Sequence, residues 1–179
     1  MVGLPLMVLL GLAVRDGSTP VDDWFQHGRG SALGRLLFFT DYRTMLLALA
    51  VALGLALYRQ RWTLAGVVAV APVAAVWLSR LCKNLFGRLK EGAVAYPSGH
   101  TTLMVSVLGM LILVVGARPW VVITAIVWAL LGVVGQAVTY HYFTDTVGAL
   151  LLGSSVVCIA AAIVHRARHL SFTDLSPGR

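Results

Sequence analysis

Residues 62–100 read WTLAGVVAVAPVAAVWLSRLCKNLFGRLKEGAVAYPSGH, and the change of chemistry inside this stretch decides the fold. From Trp62 to Cys82 the run is apolar almost throughout. That matches the roughly 20 residues a helix needs to cross a hydrocarbon core. Pro72 in its interior is tolerable there, because neighbouring helices take up the freed carbonyl. Past Cys82 the chain turns polar and basic, with Lys83, Arg88 and Lys90 following Arg80. Pro97-Ser98-Gly99-His100 then opens another apolar run. One membrane helix ends, and the next begins, on the same side of a bilayer.

Further apolar stretches cover 2–14, 44–58, 101–117, 120–138 and 147–164. The second reaches spanning length if residues from 37 onward extend it through Phe38, Phe39 and Thr40. The first is short, which suits a tilted or partly interfacial helix, or one clipped from a longer form. It lacks the basic n-region and small-residue cleavage site of a signal peptide, so it reads as the start of a retained membrane segment. The expectation is an all-α, polytopic membrane helix bundle of about six transmembrane helices, one domain over 1–179. A short interfacial piece near 20–36 and a cytoplasmic tail at 166–179 complete it. Asp22 and Asp23 in that piece read as solvated loop charges. Trp62 and Trp120 mark headgroup level at the starts of two spans. Short links at 59–61 and 116–119 make neighbouring spans antiparallel.

Composition points the same way. The 179 residues are 59% hydrophobic and 12% charged, where soluble domains are nearer 45–50% and about 25%. The net charge of +7 is spread through short links rather than along a Lys/Arg stripe, which argues against nucleic acid as a partner. Anionic lipid, or a phosphorylated lipid headgroup, suits that charge better. Cys82 and Cys158 fall at different depths, too far apart for a disulfide, and read as small buried residues.

Span parity alone gathers distant residues at one edge. Lys83 ends the third stretch, His100 starts the fourth and His141 ends the fifth. Asp145 lies four residues past His141, one helical turn on. Ionisable groups at that depth are costly, so a functional reading is the default. A bland alternative remains for each: charged span ends often snorkel, and Asp145 can cap the sixth span. Arg80 reads as a flank rather than a site residue. Tyr140 and Tyr142 read as interfacial anchors, and His27, His165 and His169 as solvent or headgroup contacts.

From Lys83 to Asp145 the chain resembles the type 2 phosphatidic acid phosphatase family, membrane relatives of the vanadium haloperoxidases. Their motifs run K-x6-R-P, then P-S-G-H, then S-R-x5-H-x3-D. Pro97-Ser98-Gly99-His100 matches the second in full, and His141 with Asp145 matches the catalytic half of the third. Two departures stand out: Lys90-Glu91 occupies the Arg-Pro position, and Val134-Gly135 replaces Ser-Arg. The resemblance covers roughly residues 35–165. It implies a membrane lipid phosphatase that works without metal or cofactor.

Residue chemistry supplies matching roles. His141 is the candidate nucleophile, forming a phosphohistidine, and Asp145 the group that orients its imidazole. His100 is the candidate general acid, then base. Ser98 and the Gly99 N–H sit at a helix N-terminus, which attracts anions. Lys83, Arg88 and Lys90 would neutralise phosphate oxygens, with Arg88 or Arg80 compensating for the absent arginine. No metal site is expected, since H-E-x-x-H is absent.

The expected substrate is a membrane lipid phosphate, of phospholipid or polyprenyl type. The Ala/Val/Gly/Leu/Arg-rich composition suggests a bacterial inner membrane. Alternatives are a lipid phosphotransferase, or a degenerate relative that binds lipid phosphate without turnover. A transporter is disfavoured, because no repeat or paired helix break is visible. Oligomeric state is open. Counting Lys and Arg gives eight on the site side and six opposite, which would put the site in the cytoplasm. Setting aside the four reserved for phosphate leaves four against six and turns the site to the extracytoplasmic face, the orientation adopted here.

Overall fold

A computed structural model describes the backbone of residues 2–173 and the side chains of 2–167 and 169. It is all-α apart from one small hairpin. Seven helices run Gly3–Ala13 (α1), Pro20–Gln26 (α2), Tyr42–Tyr58 (α3), Trp62–Phe86 (α4), Gly99–Val115 (α5), Pro119–Ala137 (α6) and Phe143–Thr173 (α7). A 3-10 helix, Ala32–Thr40, precedes α3. Every apolar stretch of the sequence is helical, but four helical stretches are long and apolar enough to cross a membrane: Ala32–Tyr58, Trp62–Phe86, Pro119–Ala137 and Phe143–Ala167. Helix α1 has 11 residues and α5 has 17. At 1.5 Å per residue α5 is about 26 Å long, and α1 only about 16 Å.

Helix α5 is central, packing against α3, α4, α6, α7 and the 3-10 segment. A helix that is apolar all round belongs in such a position. Small residues let it approach α7: Gly109 faces Val157, and Gly153 faces Val105. Membrane helices use small residues in this way because backbones can then touch. The outer shell is apolar instead, with Val70, Val73, Trp77, Ile123 and Leu130 exposed. Trp62 and Trp120 are exposed at the ends of α4 and α6 remote from the site, as an aromatic girdle requires.

Local signals set the breaks. Gly87 adopts φ 63° and ends α4, the left-handed cap that glycine allows. Residues 87–98, expected as a polar loop, contain the hairpin: Leu89–Lys90 (β1) pairs antiparallel with Ala93–Val94 (β2). Glu91 and Gly92, at φ 51° and 81°, form the tight turn between them, because positive φ at both positions matches the strand twist. The Asp41 side chain accepts the Arg43 and Thr44 N–H groups and caps α3, so the extension of that span through Phe38–Thr40 is 3-10 rather than α-helical. Residues 166–173, expected as a tail, continue α7; 174–179 lie outside the described residues.

One further expectation is corrected. Cys82 and Cys158 are free, but Cys158 is exposed on the bundle surface rather than buried. Within the piece expected near 20–36, Pro20–Gln26 is the short helix α2. It docks on the α6–α7 turn, where Phe25 stacks on Phe143 with ring centres 4.5 Å apart.

Candidate active site

The ends of α4, α5 and α6 meet at an open cleft of about 420 Å³. Ser79, Arg80 and Lys83 line it from α4, Gly99 and His100 from α5, and His141 from the turn after α6. Tyr42 adds a polar rim at the start of α3, while Val76 and Leu103 lie one turn deeper and make the wall apolar. The cleft is cationic toward the membrane edge and greasy toward the bilayer interior.

Capping holds these elements together. The Ser98 hydroxyl accepts the Thr101 N–H, and the Ser98 N–H donates to the Asp145 carbonyl at 3.1 Å. The starts of α5 and α7 are thereby tied. Ser79 donates to the Pro97 carbonyl and anchors the same corner to α4. Ser98 is fully buried and spent as a cap, so it does not line the cleft; Gly99 does.

His141 is 8% exposed. Its Nδ1 lies 3.5 Å from Asp145 Oδ2, close enough for an ion pair but longer than a hydrogen bond. That nitrogen is buried and has no hydrogen-bond partner among the described residues. Catalytic contacts are often loose before substrate binds, and a small rotation of the ring would close this one. Asp145 is held firmly on its other side. Oδ2 accepts the Tyr142 N–H at 3.0 Å, and Oδ1 accepts Arg88 Nη1 at 2.6 Å.

Three of the expected phosphate-binding residues sit elsewhere. Ser98 is the cap just described. Arg88 stands behind Asp145, wholly buried, with its guanidinium shared among the Gly17 carbonyl, Thr144 Oγ1, Asp145 and Asp22. It cannot also reach a ligand in the cleft. Lys90 is buried on the hairpin, donating to the Thr139 carbonyl with its ammonium 4.9 Å from the Tyr142 ring centre. Burial pushes the Lys90 pKa down, and Glu91 pulls it back up in part. Lys83 does line the cleft, where it donates to the Val94 carbonyl. Arg80, read as a flank, lines it too.

Asp22 was expected in solvent and is instead completely buried. It accepts hydrogen bonds from the Thr144 N–H and hydroxyl, the Thr19 N–H and Arg88. Burial works to raise its pKa. The Thr144 and Thr19 N–H groups, with Arg88, outweigh that and hold the carboxyl below the usual range. One signal was readable: Thr19-Pro20-x-Asp22 is a capping box with proline at the first helical position. Its long-range partner was not. Tyr142 also does more than anchor, since the Arg88 guanidinium packs over its ring at 4.5 Å. Asp23, His27, Tyr140 and His165 are exposed as expected.

Position 135, where the resembled motif has arginine, is closed. A Cβ on Gly135 would meet the Leu36 and Leu37 backbone at 2.6–2.8 Å. The 3-10 segment packs along α6 here, fastened by Gln136 donating to Thr40 and Trp128 donating to the Phe39 carbonyl. No protein-family model, curated protein or solved structure matches this chain.

Proposed function

We propose that this chain is an integral-membrane lipid phosphatase of the type 2 phosphatidic acid phosphatase kind. In this reading α3 to α7 cross a bacterial inner membrane, α1 enters it only part-way, and the cleft opens at the extracytoplasmic face. The observation that carries the proposal is one cleft lined by His100, His141, Lys83 and Arg80, with Asp145 3.5 Å behind His141. Two imidazoles and two cations around one space suit a tetrahedral oxyanion. The apolar wall at Val76 and Leu103 suits the first carbons of a lipid tail.

Asp145 takes the Nδ1 side of His141, which leaves Nε2 to attack phosphorus. The P–O bond to the lipid breaks, and His100 delivers a proton to the departing alkoxide. Water then attacks the phosphohistidine while His100 removes its proton, the N–P bond breaks, and inorganic phosphate leaves. Arg80 and Lys83, one turn apart on α4, stabilise charge on the equatorial oxygens. The α5 N-terminus contributes free N–H groups at Gly99 and His100.

The test is phosphate release from phosphatidic acid, phosphatidylglycerophosphate and polyprenyl phosphates by detergent-purified protein, with chelator present. Wild type should turn over, and His141→Ala and His100→Ala should each lose at least about 100-fold. Chelator-sensitive turnover, or activity surviving both substitutions, defeats the proposal. The closed position 135 favours one second reading, a relative that binds lipid phosphate without turning it over. Acid-labile ³²P on His141 after incubation with labelled substrate separates the two.

A further inference from the structure

We infer that Asp22 and Arg88 are positioning residues for the reaction, holding the Asp145 carboxylate oriented toward His141. The α1–α2 arm thereby becomes part of the working site. The inference rests on the phosphatase reading above and reaches outside the three motifs that suggested it.

The geometry is a chain of four groups. Asp22 Oδ2 accepts Arg88 Nη2 at 2.8 Å; Arg88 Nη1 donates to Asp145 Oδ1 at 2.6 Å; Asp145 Oδ2 faces His141 Nδ1 at 3.5 Å. Asp22, Arg88 and Asp145 are completely buried. Thr144, the neighbour of Asp145, gives both its N–H and its hydroxyl to Asp22 and accepts from Arg88. Engaging Oδ1 from behind turns Oδ2, which also accepts the Tyr142 N–H, toward the imidazole.

A purely structural role explains this poorly. Three buried charged groups stabilise weakly against apolar side chains of similar size. Asp22 needs no charge to cap α2, because an asparagine carbonyl accepts N–H groups as well. What the second carboxylate adds is negative potential. It offsets Arg88, which would otherwise weaken the hold of Asp145 on the developing imidazolium. The other charged or titratable groups around Asp145, Arg88 and His141 are Lys83 from α4, Lys90 and Tyr96 from the hairpin segment, Tyr142 from the α6–α7 turn and His100 from α5.

Removing the Asp22 charge should therefore destabilise the His141 imidazolium, and removing the Arg88 charge should favour it. The experiment compares wild type with Asp22→Asn, Arg88→Lys and Arg88→Met in detergent. It reads kcat, KM, the acid limb of kcat/KM and the melting temperature. It also reads the pH dependence of His141 carbethoxylation, mapped by mass spectrometry, which needs no turnover. Asp22→Asn should lower kcat at least about tenfold with KM within about twofold, and should move both pH midpoints down by roughly half to one pH unit. Arg88→Met should move them up, with Arg88→Lys between it and wild type. If Arg88→Met does not fold, Asp22→Asn decides alone. Unmoved midpoints, with or without a lower melting temperature, overturn the inference and make Asp22 a brace only. Midpoints that shift in a protein releasing no phosphate sink the phosphatase reading but leave the coupling standing.

Discussion

Gly135 and Gly148 show how much a single hydrogen can decide. A side chain at Gly135 would collide with the Leu36–Leu37 backbone, and one at Gly148 with the Tyr96 ring at 2.4 Å. Rigid backbone cannot yield as a side-chain tip can, so Gly135→Arg should not restore the arginine of the resembled motif. We expect it to lower the melting temperature and activity together, with even Gly135→Ala costing about 1–3 kcal/mol by denaturant titration. An active, equally stable Gly135→Arg enzyme would show that the 3-10 segment can move aside. Arg80 is the better cation to question. Arg80→Ala should raise KM for lipid phosphate at least about tenfold without changing the melting temperature, since its exposed side chain lines the cleft and supports no core.

Among the elements, α2 carries more weight than its seven residues suggest. Gln26 donates to the Ala137 and His141 carbonyls, so α2 grips the turn that bears His141. Gln26→Ala leaves those carbonyls short of a donor and should cost about 1–3 kcal/mol, with activity falling alongside stability. The Asp22 carboxyl adds a pH dependence of defined sign. Its folded pKa is depressed, so its contribution is complete above the unfolded value of about 3.9 and is lost as pH falls from there through the lower folded value. Melting temperature should drop more steeply below about pH 4 in wild type than in Asp22→Asn. Arg29 and Glu91 also join this arm to the hairpin, but that pair is exposed. Glu91→Gln should leave the melting curve unchanged, because solvent and salt screen such pairs.

At the scale of the molecule, the exposed apolar shell, with Trp62 and Trp120 exposed at the end remote from the cleft, suits a bundle that crosses a bilayer. The proposed sidedness can be checked directly. Glu91→Cys, placed on the exposed hairpin turn in a background without Cys82 and Cys158, should react with a membrane-impermeant maleimide in intact cells. Labelling only after lysis would put the cleft in the cytoplasm. The short α1 begins at the depth of Ser155 and rises beside α7 toward Tyr96. It braces the site end of the bundle without reaching across a hydrocarbon core on its own.

The helices and their alternation were legible along the chain, because apolar length and polar interruption are local properties of a chain in lipid. So was the edge shared by His100, His141 and Lys83, since parity of spans needs no coordinates. Only tertiary structure decided which cations face the cleft. Arg80 and Lys83 differ from Arg88 and Lys90 not in type but in which side of Asp145 their backbone reaches. The burial of Asp22, joined through Arg88 to a carboxylate 123 positions later, likewise left no local mark. Its partner is chosen by how α2 docks, and docking is settled by packing across the whole chain rather than by any stretch of it.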